Sequence, residues 1–204
     1  NEEVLEVIKR KSMNINDLSF FTEKCKEVNL PYSTEMMLGN PGETVDSWKD
    51  GYLDVVSEGV SCDIYAVALL PGAELASEES RKEHEIETEW VQFPGVANPK
   101  YRPVREYMEQ IVATKYMNRE EMAEMFKWTW CTRLGHEFNF TRELANYCEK
   151  HNIASLREFY DKFYEYIKNS NGILHQCYVD HLLFRTDNYE YTLALKNVGF
   201  KDTL

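Results

Sequence analysis

Basic residues are in the minority. The 204-residue chain has 23 Lys and Arg against 35 Asp and Glu, a net charge of −12. A chain this acidic lacks the basic face that displaces counterions from nucleic acid, so nucleic acid is not an expected partner. The same deficit opposes docking on anionic lipid. Long apolar runs are also missing. None approaches the roughly 20 residues of a membrane span, and the first ten residues, NEEVLEVIKR, are acidic and helix-like rather than basic then apolar. No membrane partner is expected. Cysteine is sparse and scattered: Cys25, Cys62, Cys131, Cys148 and Cys177 are odd in number and form no CxxC pair. That pattern reads as reduced thiols and a cytoplasmic setting, and it excludes a local zinc or iron–sulfur motif within this chain. The first residue is not Met, which places the expected start of the protein upstream.

With 43% apolar and 28% charged residues, the chain has a globular composition and enough length to bury a core. Val4, Leu5 and Ile8 fall at helical spacing over residues 3–11. Asn14 is the expected cap of a second helix, with Ile15, Leu18, Phe21, Cys25 and Val28 as its apolar stripe. Pro31 stops it. Residues 32–38 are a short apolar run suited to a buried strand, and Gly39-Asn40-Pro41-Gly42 is a tight turn. Thr44 caps a helix through about Glu58, and Gly59 ends it. Residues 62–70 make a second buried strand. Strand, helix, strand is a βαβ unit, and such units build parallel sheets. Two strands are too few for a stable parallel sheet, so this half reads as the tail of a larger α/β domain.

Beyond Leu75 the style changes. Residues 74–89 are a charged stretch, read as a solvated helix or excursion. Residues 91–104, with three prolines and a glycine, read as a linker. From residue 105 to 204 the periodicity predicts a helical domain, with helices near 104–116, 119–133, 141–151, 153–168, 173–185 and 188–198. Asn118, Thr141 and Asp187 are the expected caps.

The string Glu35-Met36-Met37-Leu38-Gly39-Asn40-Pro41-Gly42-Glu43-Thr44 resembles the D/E-x-I-x-G-x-P-G-E/Q-T segment on the fifth strand of radical S-adenosylmethionine (radical SAM) enzymes. Three further pieces agree in order. Residues 1–10 look like the helix after the fourth strand, and residues 64–72 like the sixth strand and its exit. Residues 78–88 look like the segment that follows in members with an upstream cobalamin-binding domain. The resemblance covers about residues 1–90 and implies an α/β fold: the C-terminal part of a partial (β/α)6 TIM-like barrel, followed by an all-helical region.

The resemblance also implies a cofactor site. Arg10 would meet the methionine carboxylate of S-adenosylmethionine as a planar bidentate donor. Glu35 would accept hydrogen bonds from the ribose hydroxyls, Met37 would press on the adenine, and Ala68 would offer backbone polar groups to the adenine edge. The family's cluster motif, CxxxCxxC, is absent, as is its strand-two glycine motif. The chain is therefore expected to be a fragment. It would supply part of the adenosine and carboxylate site, while a missing N-terminal half, its principal partner, holds the [4Fe–4S] cluster. In the intact family the reduced cluster cleaves S-adenosylmethionine to a 5′-deoxyadenosyl radical, which acts on the substrate; with cobalamin upstream, methyl transfer is the implied outcome. The chain alone is not expected to perform that cleavage, and its substrate is not legible.

The bare strand edge at 32–38 is expected to be covered by a second copy, a swapped element or the helical region. The rival reading is a non-catalytic helical interaction module with a βαβ start. Gly39 and Gly42 suit backbone geometry better than phosphate binding, since no GK[ST] follows, and Glu43 could brace their turn. His175, Cys177 and His181 match no tetrahedral metal spacing. The Trp128–Trp130–Cys131 segment reads as helix-contact filler.

Overall fold

The computed structural model describes residues 2–9, 15–92 and 107–179. Helices α1 (Glu2–Val7) and α2 (Ile15–Glu27) lead into strand β1 (Ser33–Leu38), helix α3 (Val45–Ser57) and strand β2 (Ser61–Ala66). β1 and β2 pair in parallel, in register from Ser33 opposite Ser61 to Leu38 opposite Ala66. The βαβ reading thus matches the structure. Thr44 caps α3 through a capping box with Ser47, which satisfies donors that the first turn would otherwise leave free. Trp48, Tyr52, Leu53 and Val56 are the buried face of α3. Gly59 closes it at φ +75°, where a side chain is strained. In α2 the expected stripe is only partly inward: Cys25 and Thr22 are buried, but Phe21 and Val28 are exposed.

The second strand is not one run. After Ala66 the chain turns at Val67 and continues as a two-residue strand, β3 (Ala68–Leu69), which leaves the parallel pair for a second sheet. Val67 serves both: its N–H donates to Leu38 O at 3.0 Å, and its carbonyl accepts from Ile111 N–H at 2.9 Å. The 74–89 stretch is a 3-10 turn (Glu74–Ala76), a short helix α4 (Glu78–Glu83) and the start of β4 (Glu87–Gln92).

The expected helix over 104–116 is corrected. Residues 107–113 are strand β5 (Tyr107–Ala113), so the region after 105 is not all-helical. β5 lies in the middle of an antiparallel sheet in the order β3-β5-β4. Pairing decided this. Met108, Ile111 and Val112 fit a helical stripe, but β5 finds partners on both edges, and its β-branched Ile111 and Val112 suit a pleated, buried strand. This sheet joins residues on both sides of 91–104.

Helices α5 (Arg119–His136), α6 (Arg142–Lys150) and α7 (Leu156–Asn169) follow, and residues 173–179 are helical. Asn118 and Ser155 each form capping boxes. Thr141 precedes α6 without a side-chain cap bond, contrary to expectation. The expected caps Asn14 and Asp187 and the helix at 188–198 lie outside the described residues. α5 crosses α7 closely at Gly135, where a Cβ would stand 2.8 Å from Tyr160 Cε1 and 2.9 Å from Phe163 Cε1.

One core runs through both sheets and the helices, with Leu38, Trp48, Tyr52, Ile111, Met122 and Trp128 at its centre. Among the described residues the architecture is mixed α/β with two small sheets and no closed barrel. Among the described residues no strand pairs with the outer edge of β1. The outer edge of β2 is served by the end of α5. Glu137 accepts from Cys62 N–H at 3.4 Å, Ser61 Oγ at 3.1 Å and Tyr52 OH at 2.8 Å. No described helix is long and apolar enough to cross a membrane.

Candidate functional site

Strand alternation splits β1 into two faces. Leu38 is buried and Thr34 and Met36 are partly buried, whereas Ser33, Glu35 and Met37 are exposed. On β2 the partners of Glu35 and Met37 are Asp63 and Tyr65. Met37 is 37% and Tyr65 41% exposed, so two large side chains sit side by side on an open face. Asp63 is tied to Arg133 of α5 at 2.9 Å. This face ends at the C-terminal end of the parallel pair, where ligands gather in parallel α/β sheets.

The turn after β1 borders that end. Gly39 and Gly42 adopt φ +102° and +89°, conformations that glycine alone takes without strain. A Cβ on Gly39 would come within 3.1 Å of Met122 Cε, and one on Gly42 within 3.6 Å of Val4 Cα. The turn is therefore pressed between α5 and α1. Asn40 Nδ2 donates to Met37 O at 2.9 Å. Glu43 braces the loop from within: its carboxylate, buried with 8% exposure, accepts from Gly39 N–H at 3.3 Å. Burial pushes the Glu43 carboxyl up to about 7, partly offset by the Gly39 N–H.

Ala68 lies on β3, in the second sheet, three residues past the Tyr65 partner of Met37 and just beyond Val67. It faces Gln110 of β5 in register. Arg10 lies outside the described residues. Its neighbour Lys9 is paired with Glu74, in the turn that follows β3. The strands thus bring Glu35 and Met37 together on one face, with Ala68 at the exit of the adjacent strand. Sequence reasoning missed Asp63 and Tyr65, although their spacing from residues 35 and 37 in a parallel pair could have found them.

The donor set for a metal cluster is a different matter. Among the described residues no three His, Cys, Asp or Glu converge on a point where a metal ion could sit. Cys25, Cys62 and Cys131 are buried, and burial pushes the Cys62 thiol up to about 12, away from the thiolate that metal binding needs. These residues do not fit an iron–sulfur cluster. His175 Nδ1 is 2.9 Å from Ile167 O, a structural contact, and His181 lies outside the described residues. Trp128 donates to Asp161 at 2.8 Å and carries Lys49 above its ring, which makes it a helix contact.

Comparison with known proteins finds distant relatives. The chain is 25% identical over 170 residues to the cobalamin-dependent radical SAM methyltransferase TokK of Streptomyces tokunonensis. It has the same identity over the same length to a 2-(S-pantetheinyl)-carbapenam-3-carboxylate methyltransferase of Streptantibioticus cattleyicolor. Each match takes in 80% of this chain and 24% of the relative. The chain therefore spans about a quarter of the length of the curated relatives it matches. No family model matches it.

Proposed function

We propose that this chain forms part of the S-adenosylmethionine site of a cobalamin-dependent radical SAM methyltransferase. The supporting observation is the open face of β1 and β2, with Glu35 and Met37 beside each other at the C-terminal end of a parallel pair. In a barrel that face would look inward, and α3 would pack outside, as it packs here. The 25% identity to two methyltransferases points the same way.

In this reading Glu35 holds the ribose hydroxyls, Met37 lies against the adenine, Ala68 borders the adenine edge and Arg10 grips the methionine carboxylate. The N-terminal half of the same protein is the partner that covers the free edge of β1 and completes the barrel. When bound there, the [4Fe–4S] cluster and cobalamin supply the electron and the methyl carrier. The residues of this chain bind and orient the nucleoside and keep water from it.

Binding of S-adenosylmethionine to the full-length protein tests the reading. Arg10→Ala should weaken it by about 1.5–3 kcal/mol, the range for a charged hydrogen bond. An unchanged affinity, measured by equilibrium dialysis, would overturn the assignment of Arg10 and the register on which it rests.

A further inference from the structure

The open face of the parallel pair is divided into two rows. Glu35 opposes Asp63, and two residues further along the strands Met37 opposes Tyr65. Side chains of a strand alternate between faces, so all four project from one side, and a step of two residues separates the rows by about 6.6 Å. The first row is ionic, with Asp63 held by Arg133 at 2.9 Å. The second is apolar. Met36, Ile64 and Ala66 pack against the buried cluster on the opposite face, while Met37 and Tyr65 are turned away from it and exposed. A carboxylate row next to a thioether and an aromatic ring is amphipathic as a nucleoside is, with hydroxyls at one end and a flat base at the other. Among the described residues β2 is an edge strand of this sheet, because the chain crosses to the second sheet at β3. Tyr65 therefore stands at the border of the face.

We propose that the base of the bound nucleoside stacks on the ring of Tyr65. The inference rests on the reading that Glu35 holds the ribose and Met37 lies against the base, and it adds the aromatic partner. Neighbouring strands stand about 4.8 Å apart, so the Met37 and Tyr65 side chains form one shelf across the pair, wide enough for a bicyclic purine. The phenol ring and the base each carry a π-face, and an offset stack between them removes apolar surface of both from water. Stacking asks nothing of the donors and acceptors on the base edge. The ring of Tyr65 is thus the working part, and its hydroxyl is dispensable.

The test is calorimetric binding of S-adenosylhomocysteine to the full-length protein and to its Tyr65→Ala and Tyr65→Phe variants, with S-ribosylhomocysteine as a base-free probe. Tyr65→Ala should weaken S-adenosylhomocysteine binding roughly 5- to 150-fold, the range for one base–aromatic stack. Tyr65→Phe should stay within about threefold of wild type, because the ring remains. S-ribosylhomocysteine should bind wild type and Tyr65→Ala alike, since it has no base to stack. A side chain that merely supports the strand would lower the affinity for both probes together, and that result overturns the proposal. A loss that Tyr65→Phe does not restore also overturns it. Equal affinity of wild type and Tyr65→Ala for S-adenosylhomocysteine overturns the role of Tyr65 alone. No binding of S-adenosylhomocysteine by wild type overturns the nucleoside-site reading itself.

Discussion

Glu43→Gln should remove a pH dependence from the stability of the chain. The carboxyl is buried behind the Gly39–Gly42 turn, and its proton affinity is raised from 4.5 to about 7. The unfolded chain releases this proton near 4.5, while the folded chain holds it until about 7. Between those values the folded state binds more protons, so stability falls as pH rises through the window and is level above it. At about 1.4 kcal/mol per tenfold change in proton affinity, the loss is about 3 kcal/mol. A glutamine keeps an oxygen to accept from Gly39 N–H and has nothing to ionise. The variant should match wild type near pH 4.5 and exceed it by up to about 3 kcal/mol at pH 8.

The measurement is urea unfolding of both proteins from pH 4.5 to 8, compared at constant m-value. The difference between the two curves matters, because other groups titrate as well. His136 is held below its ordinary 6.5 by burial first and then by Arg142, so its contribution rises with pH below that value. Glu109 and Glu124 sit near 2, so theirs is lost only below the window. If the difference curve is flat from pH 4.5 to 8, Glu43 is ionised in the folded chain and burial behind the turn does not raise its proton affinity.

Two further perturbations probe the packing that holds the site. Gly135→Ala would put a methyl 2.8 Å from Thr141 Oγ1 and from Tyr160 Cε1, so overpacking should outweigh the helical preference for alanine; a Tm lower by roughly 2–8 °C in calorimetry is expected, and a stabilised variant would show that α5 and α7 separate easily. Glu137→Ala strands Tyr52 OH and Cys62 N–H and leaves Arg133 with Asp63 alone, and should cost about 3–5 kcal/mol in urea unfolding, as loss of one partner from a buried charged cluster does; a loss under about 1 kcal/mol would mean water replaces the carboxylate.

The parts legible in the sequence were those fixed by local chemistry. Thr44, Asn118, Gly59 and the apolar run before Gly39 each carry a stop, start or strand preference within a few residues, and the structure follows them. What depends on a distant partner was not legible. Residues 107–113 have apolar positions that suit a helix as well as a strand, and only pairing with β3 and β4 decides between them. The break at Val67 hides in a continuous apolar run, 62–70, because both sheets bury that stretch. At the site, the alternation of Glu35 and Met37 on one face was readable, since strand period is fixed at two. The placement of Ala68 was not, because the break that carries it into the second sheet is set by pairing with β5.

Val67 joins the two sheets through a single residue, its N–H in one ladder and its carbonyl in the other. A hinge between sheets normally lets them swing independently. Here a rotation about Val67 acts on the hydrogen bonds to both Leu38 and Ile111. The two sheets are thereby joined into one cooperative folding unit. Displacement imposed at the free edge of β1 would be transmitted through Val67 to β5.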